Sequence, residues 1–150
     1  PNSIYIKINE VKPIAMAVLL DKDFFLIDDN DYSIPYSINK RIKLGIPKLL
    51  INNRKDINKI FTDTQYYFIK KVFLKYPSIY HDIDEVSVIN QDLIVTFKNN
   101  IVYFDLDKYE MQLNYLSEFL IMKKKYNMSD NYEYIKFAGS NIIIKTETGA

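Results

Sequence analysis

The chain has no cysteine and no tryptophan, and only three glycines among its 150 residues. Without cysteine there are neither disulfide staples nor thiolate metal sites, and either redox compartment stays open. The glycines stand at Gly45, Gly139 and Gly149, so no glycine-rich loop opens a helix to cradle a phosphate. Long apolar runs are also missing: Ile14 to Leu20 is the longest, far short of the ~20 residues of a membrane span. Charge of one sign is not in excess, since 20 basic residues face 19 acidic ones for a formal charge of +1. That balance argues against a dedicated nucleic-acid binder, which carries a basic excess. The Lys and Tyr interleaving of Lys123–Tyr126 reads as a helix end rather than a base-stacking platform.

Hydrophobic residues make up 48% of the sequence, enough for a sizeable core, and 150 residues suit one domain. The chain starts at Pro1 without a signal-peptide pattern and reads as a piece of a longer protein.

Ile4, Ile6 and Ile8 alternate with Tyr5, Lys7 and Asn9, the period of a half-buried strand. Ile14 to Leu20 suits a strand covered on both faces, and Phe24–Ile27 after the Asp21-Lys22 break would pair with it as a hairpin. Asp28-Asp29-Asn30-Asp31 reads as a solvated turn. Positions 32 to 53, with Pro35, Gly45 and Pro47, look irregular. Ile57, Ile60, Phe61, Thr64, Phe68 and Val72 recur at helical spacing up to a stop at Pro77. Glu85–Ile89, Leu93–Lys98 and Ile101–Leu106 form a second strand group, with Asn99-Asn100 as a two-residue turn. Asp107 and Glu110 form a capping-box-like D-x-x-E ahead of a helix whose stripe is Tyr109, Leu113, Leu116 and Leu120. Tyr132–Ala138, a Gly139-Ser140-Asn141 turn and Ile142–Lys145 close the chain. The expected fold is α+β: an antiparallel-rich curved β-sheet with two α-helices packed on one face.

For chemistry, the acidic cluster Asp21, Asp23, Asp28, Asp29 and Asp31 is the one feature resembling a metal site. As a calcium loop from Asp29 it places Ile34 at the glycine position and Lys40 at the bidentate glutamate position. His81 is the lone histidine and has no motif supplying a serine partner. The residues offer no catalytic constellation and call for no cofactor and no metal.

Four segments taken in order resemble the FtsQ/DivIB family of bacterial cell-division proteins. Ile4 to Ala15, with Glu10-Val11-Lys12-Pro13, is similar to the strand and E-R-x-P-x-A signature at the exit of the family's POTRA domain. Val11 stands where that family carries arginine. Phe25-Leu26-Ile27-Asp28 resembles its Ile-Asp hairpin, and Gly45-Ile46-Pro47-Lys48-Leu49 its L-P-x-L loop. Leu93 through Tyr134-Ile135-Lys136-Phe137 to Ile144 follows the order of its C-terminal half, although the family's closing V-D-L-R reads Ile135-Lys136-Phe137-Ala138 here.

The resemblance implies that residues 1–12 end a POTRA-like region and residues 13–150 form the family's β domain. The parent would be a single-pass membrane protein placing this domain on the extracytoplasmic face of the bacterial cytoplasmic membrane, at the division septum. The domain would be a non-enzymatic scaffold for FtsB- and FtsL-type division proteins, with FtsB adding a strand beside the C-terminal strand. The site so implied comprises Tyr134, Ile135, Lys136, Phe137, Ile142, Ile143, Ile144 and Lys145. Chain order agrees, since a β-branched run at the end easily forms a sheet edge with unpaired N–H and C=O groups. Two other expectations stand beside it: a POTRA-linked or lipoprotein-like envelope interaction domain unrelated to division, and a metal-dependent hydrolase using Asp21–Asp31.

Overall fold

The computed structural model describes residues 3–7, 10–37, 44–53, 55–98 and 100–147. Nine strands form one sheet in the order β3-β2-β1-β4-β5-β6-β7-β8-β9. They are β1 Ala15–Leu19, β2 Phe24–Ile27, β3 Ser33–Pro35, β4 Lys48–Ile51, β5 Ile83–Ile89, β6 Asp92–Phe97, β7 Ile101–Asp105, β8 Tyr132–Ala138 and β9 Asn141–Thr146. A 3₁₀ helix, Ile57–Thr62, leads through Asp63 into α1 (Thr64–Lys75), then α2 (Pro77–Tyr80); α3 spans Tyr109–Lys125. The fold is a mixed, β-rich α/β arrangement. Antiparallel pairing dominates, but β1 and β4, β4 and β5, and β7 and β8 run parallel.

Those parallel pairs decide where the helices go. The β4–α1–β5 and β7–α3–β8 crossovers step the same way across the sheet with the same strand direction. Parallel crossovers are almost always right-handed, so both deliver their helices to one face. Alternate strand residues pack there with the helices in one core: Ala15, Ala17 and Leu19 of β1, Leu49 and Ile51 of β4, Val86 of β5, Leu93 and Val95 of β6, Val102 and Phe104 of β7. From the helices come Phe68, Ile69 and Val72 of α1, Ile79 and Tyr80 of α2, and Leu113 and Leu116 of α3.

From β4 onward one unit is built twice. β4–α1–β5–β6 and β7–α3–β8–β9 are two βαββ units laid side by side. The hairpins align without a gap. Ile83↔Phe97 and Glu85↔Thr96 frame a register shift in the first, and Tyr132↔Thr146 and Tyr134↔Lys145 frame one at the equivalent place in the second. Asn90 and Gly139 hold the same turn position, with φ of 55° and 58°. The helices match too, because Gln65, Tyr66 and Ile69 recur in spacing and burial as Gln112, Leu113 and Leu116.

Several expectations need correction. No strand forms among residues 3–7; Ile4, Tyr5 and Ile6 are almost fully exposed, and Ile8 and Asn9 lie outside the described residues. Alternation makes a strand only when an edge accepts it, and no described element pairs there. Positions 32 to 53 are not irregular throughout, since they hold the edge strand β3 and the interior strand β4. The expected single helix from Ile57 breaks at Asp63, whose extended backbone (ψ 146°) separates the 3₁₀ turn from α1. Pro77 opens α2 at its first position as well as ending α1, because a helix start needs no N–H there. The Asp107–Glu110 box does not form: Lys108 is the N-cap and no side chain caps α3. Glu110 instead pairs with Lys71 of α1 at 2.8 Å. Of the Asn99-Asn100 turn, Asn99 lies outside the described residues.

The Asp28–Asp31 turn is not merely solvated. Asp28 is buried, and its carboxylate accepts from the backbone N–H of Asn30 (2.9 Å) and Tyr32 (3.0 Å). The Tyr66 hydroxyl donates to the Asp31 carboxylate at 2.5 Å, lies 3.1 Å from the Asp28 carbonyl and accepts from the Asp31 N–H at 3.3 Å. Burial first, then Asp31, pushes the Tyr66 hydroxyl far above its usual range, so it stays protonated as a donor.

Candidate functional site: the open edge at β9

The sheet has two ends, and they are built differently. β3 is three residues long and finishes in Pro35, which supplies no N–H; short edges with proline resist further pairing. β9 is six residues long, exposed throughout, and carries Ile142, Ile143 and Ile144 at 38%, 49% and 39% exposure. No described residue pairs with its outer edge. Lys145 is the one charge in the strand. A long, β-branched, nearly uncharged edge is the kind that soluble proteins normally block.

The edge is held firmly from behind. Gly139 sits in the left-handed region at φ +58°, where a side chain would strain the β8–β9 turn although its Cβ would meet only Lys108 Nζ, at 4.0 Å. Its N–H donates to the Asp105 carboxylate at 2.8 Å, and its carbonyl accepts from Gln112 Nε2 at 3.0 Å. Gln112 is fully buried on α3; its Oε1 accepts from the Asp105 N–H and its Nε2 donates to Asp105 Oδ2, both at 2.8 Å. This network ties the end of β7, the start of α3 and the β8–β9 turn together. Sequence reasoning missed it, and the one available signal was a glutamine inside an otherwise apolar helical stripe.

The structure divides the eight expected site residues by face. Ile135 and Phe137 point into the core at 1% exposure each, with Phe137 stacked on Phe104 at 5.2 Å. They back the edge from within the core. Their cross-strand neighbours Ile144 and Ile142 share that face but lie half-open beyond the helices. Tyr134, Lys136, Ile143 and Lys145 occupy the opposite face, with Lys136 opposite Ile143 and Tyr134 opposite Lys145. There Tyr134 meets Tyr103 edge-on at 5.8 Å, and Lys136 and Lys145 each lie 5.8 Å over the Tyr103 and Tyr134 rings. Lys145 also pairs with Glu133 at 2.7 Å, and that hydrogen bond raises its pKa and keeps it charged.

Elsewhere the side chains have structural employment. Asp21 faces Lys55 at 3.5 Å, Asp31 faces Lys70 at 3.8 Å, and Asp28 caps its own turn. Among the described residues no group of three or more His, Cys, Asp or Glu is placed to hold a metal ion. His81 is exposed at the end of α2, against the edge of Tyr80. A cleft of about 240 Å³ lies between α3 and the sheet, floored by Ile79, Phe97 and Leu116. Its rim carries the Asp82–Lys98 and Lys123–Asp130 ion pairs. No family model matches this chain, and no curated protein matches its sequence.

Proposed function

We propose that this domain is a non-enzymatic scaffold that binds a partner protein by accepting a strand along β9. The observation carrying the reading is the contrast between the two sheet ends, since β3 is short and closed by Pro35 while β9 is twice as long, carries three consecutive isoleucines and has no partner on its outer edge among the described residues. A strand added to such an edge gains main-chain hydrogen bonds, and side-chain pockets on either face supply specificity. Ile142 and Ile144 offer apolar contact on the core side, while Tyr134, Lys136, Ile143 and Lys145 offer aromatic, apolar and cationic contact on the other.

The four motif segments resembling the FtsQ/DivIB family direct this reading to cell division. The parent is then a membrane-anchored division protein with a POTRA domain and an FtsQ-like β domain at the septum, and its partners are FtsB- and FtsL-type proteins. None of the described helices is long and apolar enough to cross a membrane.

The test is a binding measurement with extracytoplasmic segments of the organism's own FtsB- and FtsL-type proteins. Ile143→Pro deletes a donor from β9 and resists a hydrogen-bonded ladder. Each net hydrogen bond is worth ~0.5–1.5 kcal/mol, so spoiling a whole added strand weakens binding by well over ~10-fold. Tyr134→Ala weakens it through lost packing beside Lys145. Both variants must first keep a native circular dichroism spectrum. Folded variants binding at wild-type affinity rule out the edge, and failure of the native domain to bind either segment rules out the division partners.

A further inference from the structure

We infer that the partner presents a strand followed directly by a helix, with a basic residue in the helix's first turn facing Glu118. The inference rests on the strand-addition reading and follows from the internal duplication of the βαββ unit.

In the first unit, the strand equivalent to β9 is β6, and its outer edge is filled. β7 pairs antiparallel with it, placing Phe104 opposite Leu93 and Val102 opposite Val95, and the chain then turns into α3. Under that strand and helix, Leu93 and Val95 are fully buried. Their equivalents in the second unit are Ile142 and Ile144, at 38% and 39% exposure. An added strand covers such residues from one side, through its cross-strand neighbours, and the helix behind it covers them from above. What β9 lacks, compared with β6, is a strand and the helix behind it.

The helix flank tells the same story. α3 packs against one side of α1, where Phe68 and Val72 are fully buried, Phe68 meets Tyr109 edge-on at 5.7 Å, and Lys71 pairs with Glu110 at 2.8 Å. The equivalent positions on α3 are Tyr115, Phe119 and, in place of Lys71, Glu118. Tyr115 and Phe119 are only partly buried and Glu118 is exposed. The flank of α3 therefore repeats the flank that receives a helix in the first unit, with the sign of the central charge reversed. Glu110 of α3 answers Lys71, so a lysine or arginine in the first turn of the partner helix answers Glu118.

The probe is a synthetic peptide copying residues 100–125 of this chain with Glu110→Lys, titrated into the whole domain while the β9 amides are followed by NMR. A strand-only peptide copying residues 100–106 and a strand–helix peptide retaining Glu110 serve as comparisons. The lysine-bearing strand–helix peptide should shift the amides of Ile142 to Thr146 and bind at least ~10-fold more tightly than the strand alone. In the Glu118→Lys domain the preference between lysine and glutamate peptides should invert, by about threefold or more. Equal binding by the strand-only peptide would overturn the helix and leave strand addition standing. Unchanged preference in Glu118→Lys would overturn the charge assignment. No response at β9 to any peptide would overturn both this inference and the edge as a binding site.

Discussion

Asp28 shows how a residue's neighbours, distant in sequence, change its meaning. Alone, four consecutive turn-formers describe a solvated loop, and nothing within Asp28–Asp31 announces burial. Tyr66, brought over by α1, covers the turn and converts it into a hydrogen-bonded joint between the β2–β3 turn and the helix layer. Asp28→Ala removes the part-buried acceptor of the Asn30 and Tyr32 N–H groups and, at ~0.5–1.5 kcal/mol for each net hydrogen bond, should cost about 1–3 kcal/mol, read from chemical denaturation. A loss near zero would return the turn to solvent. Tyr80 makes a second such joint, donating to the Ile14 carbonyl at 2.7 Å, and burial pushes its hydroxyl up to about 12 from 10.0. The folded state therefore holds the proton more tightly than the unfolded chain. Its contribution is complete below pH 10.0 and fades as pH rises toward about 12. An alkaline titration of the unfolding free energy should fall across that window, and Tyr80→Phe should flatten the fall. An unchanged slope would mean the hydroxyl is not buried as described.

Among the elements, α3 carries most of the positioning. Its stripe of Leu113 and Leu116 packs into the core, and Gln112 in the same turn holds the β8–β9 turn. Leu116→Ala should cost about 2–5 kcal/mol by opening a cavity. Gln112→Leu keeps the volume but strands the Asp105 N–H, so it should cost about 1–3 kcal/mol and speed amide exchange at Gly139 before global unfolding. Exchange at Gly139 unaffected by that change would remove Gln112 from its role. The strands of the second group, β5, β6 and β7, were legible because β6 and β7 alternate cleanly and the turns joining the three are local. β4 was not: Lys48-Leu49-Leu50-Ile51 is four residues long, follows Pro47, and takes both its partners in parallel from distant segments. Capping of α3 was misread because the D-x-x-E pattern is permissive, and Glu110 instead pairs with Lys71 across the helix interface. Lys71 holds the Glu110 carboxyl below its usual range through that hydrogen bond. The last strand's position as an edge followed from chain order and β-branching, whereas the inward aim of Ile135 and Phe137 depended on a register that the shift between Tyr132 and Tyr134 sets.

At the scale of the whole molecule, the repeated βαββ unit gives β9 the place that β6 holds in the first unit. β7 covers the outer edge of β6, whereas no described strand covers that of β9. The scaffold role proposed above draws on that geometry and on the resemblance to the division family, and it requires a partner on β9. Amide hydrogen–deuterium exchange, with and without an FtsB-type extracytoplasmic segment, tests it most directly. The account predicts rapid exchange from Ile142 to Thr146 in the free domain and marked slowing there on binding, with the β3 edge unchanged. Slowing elsewhere, while the amides of β9 exchange as fast in the complex as in the free domain, would contradict it.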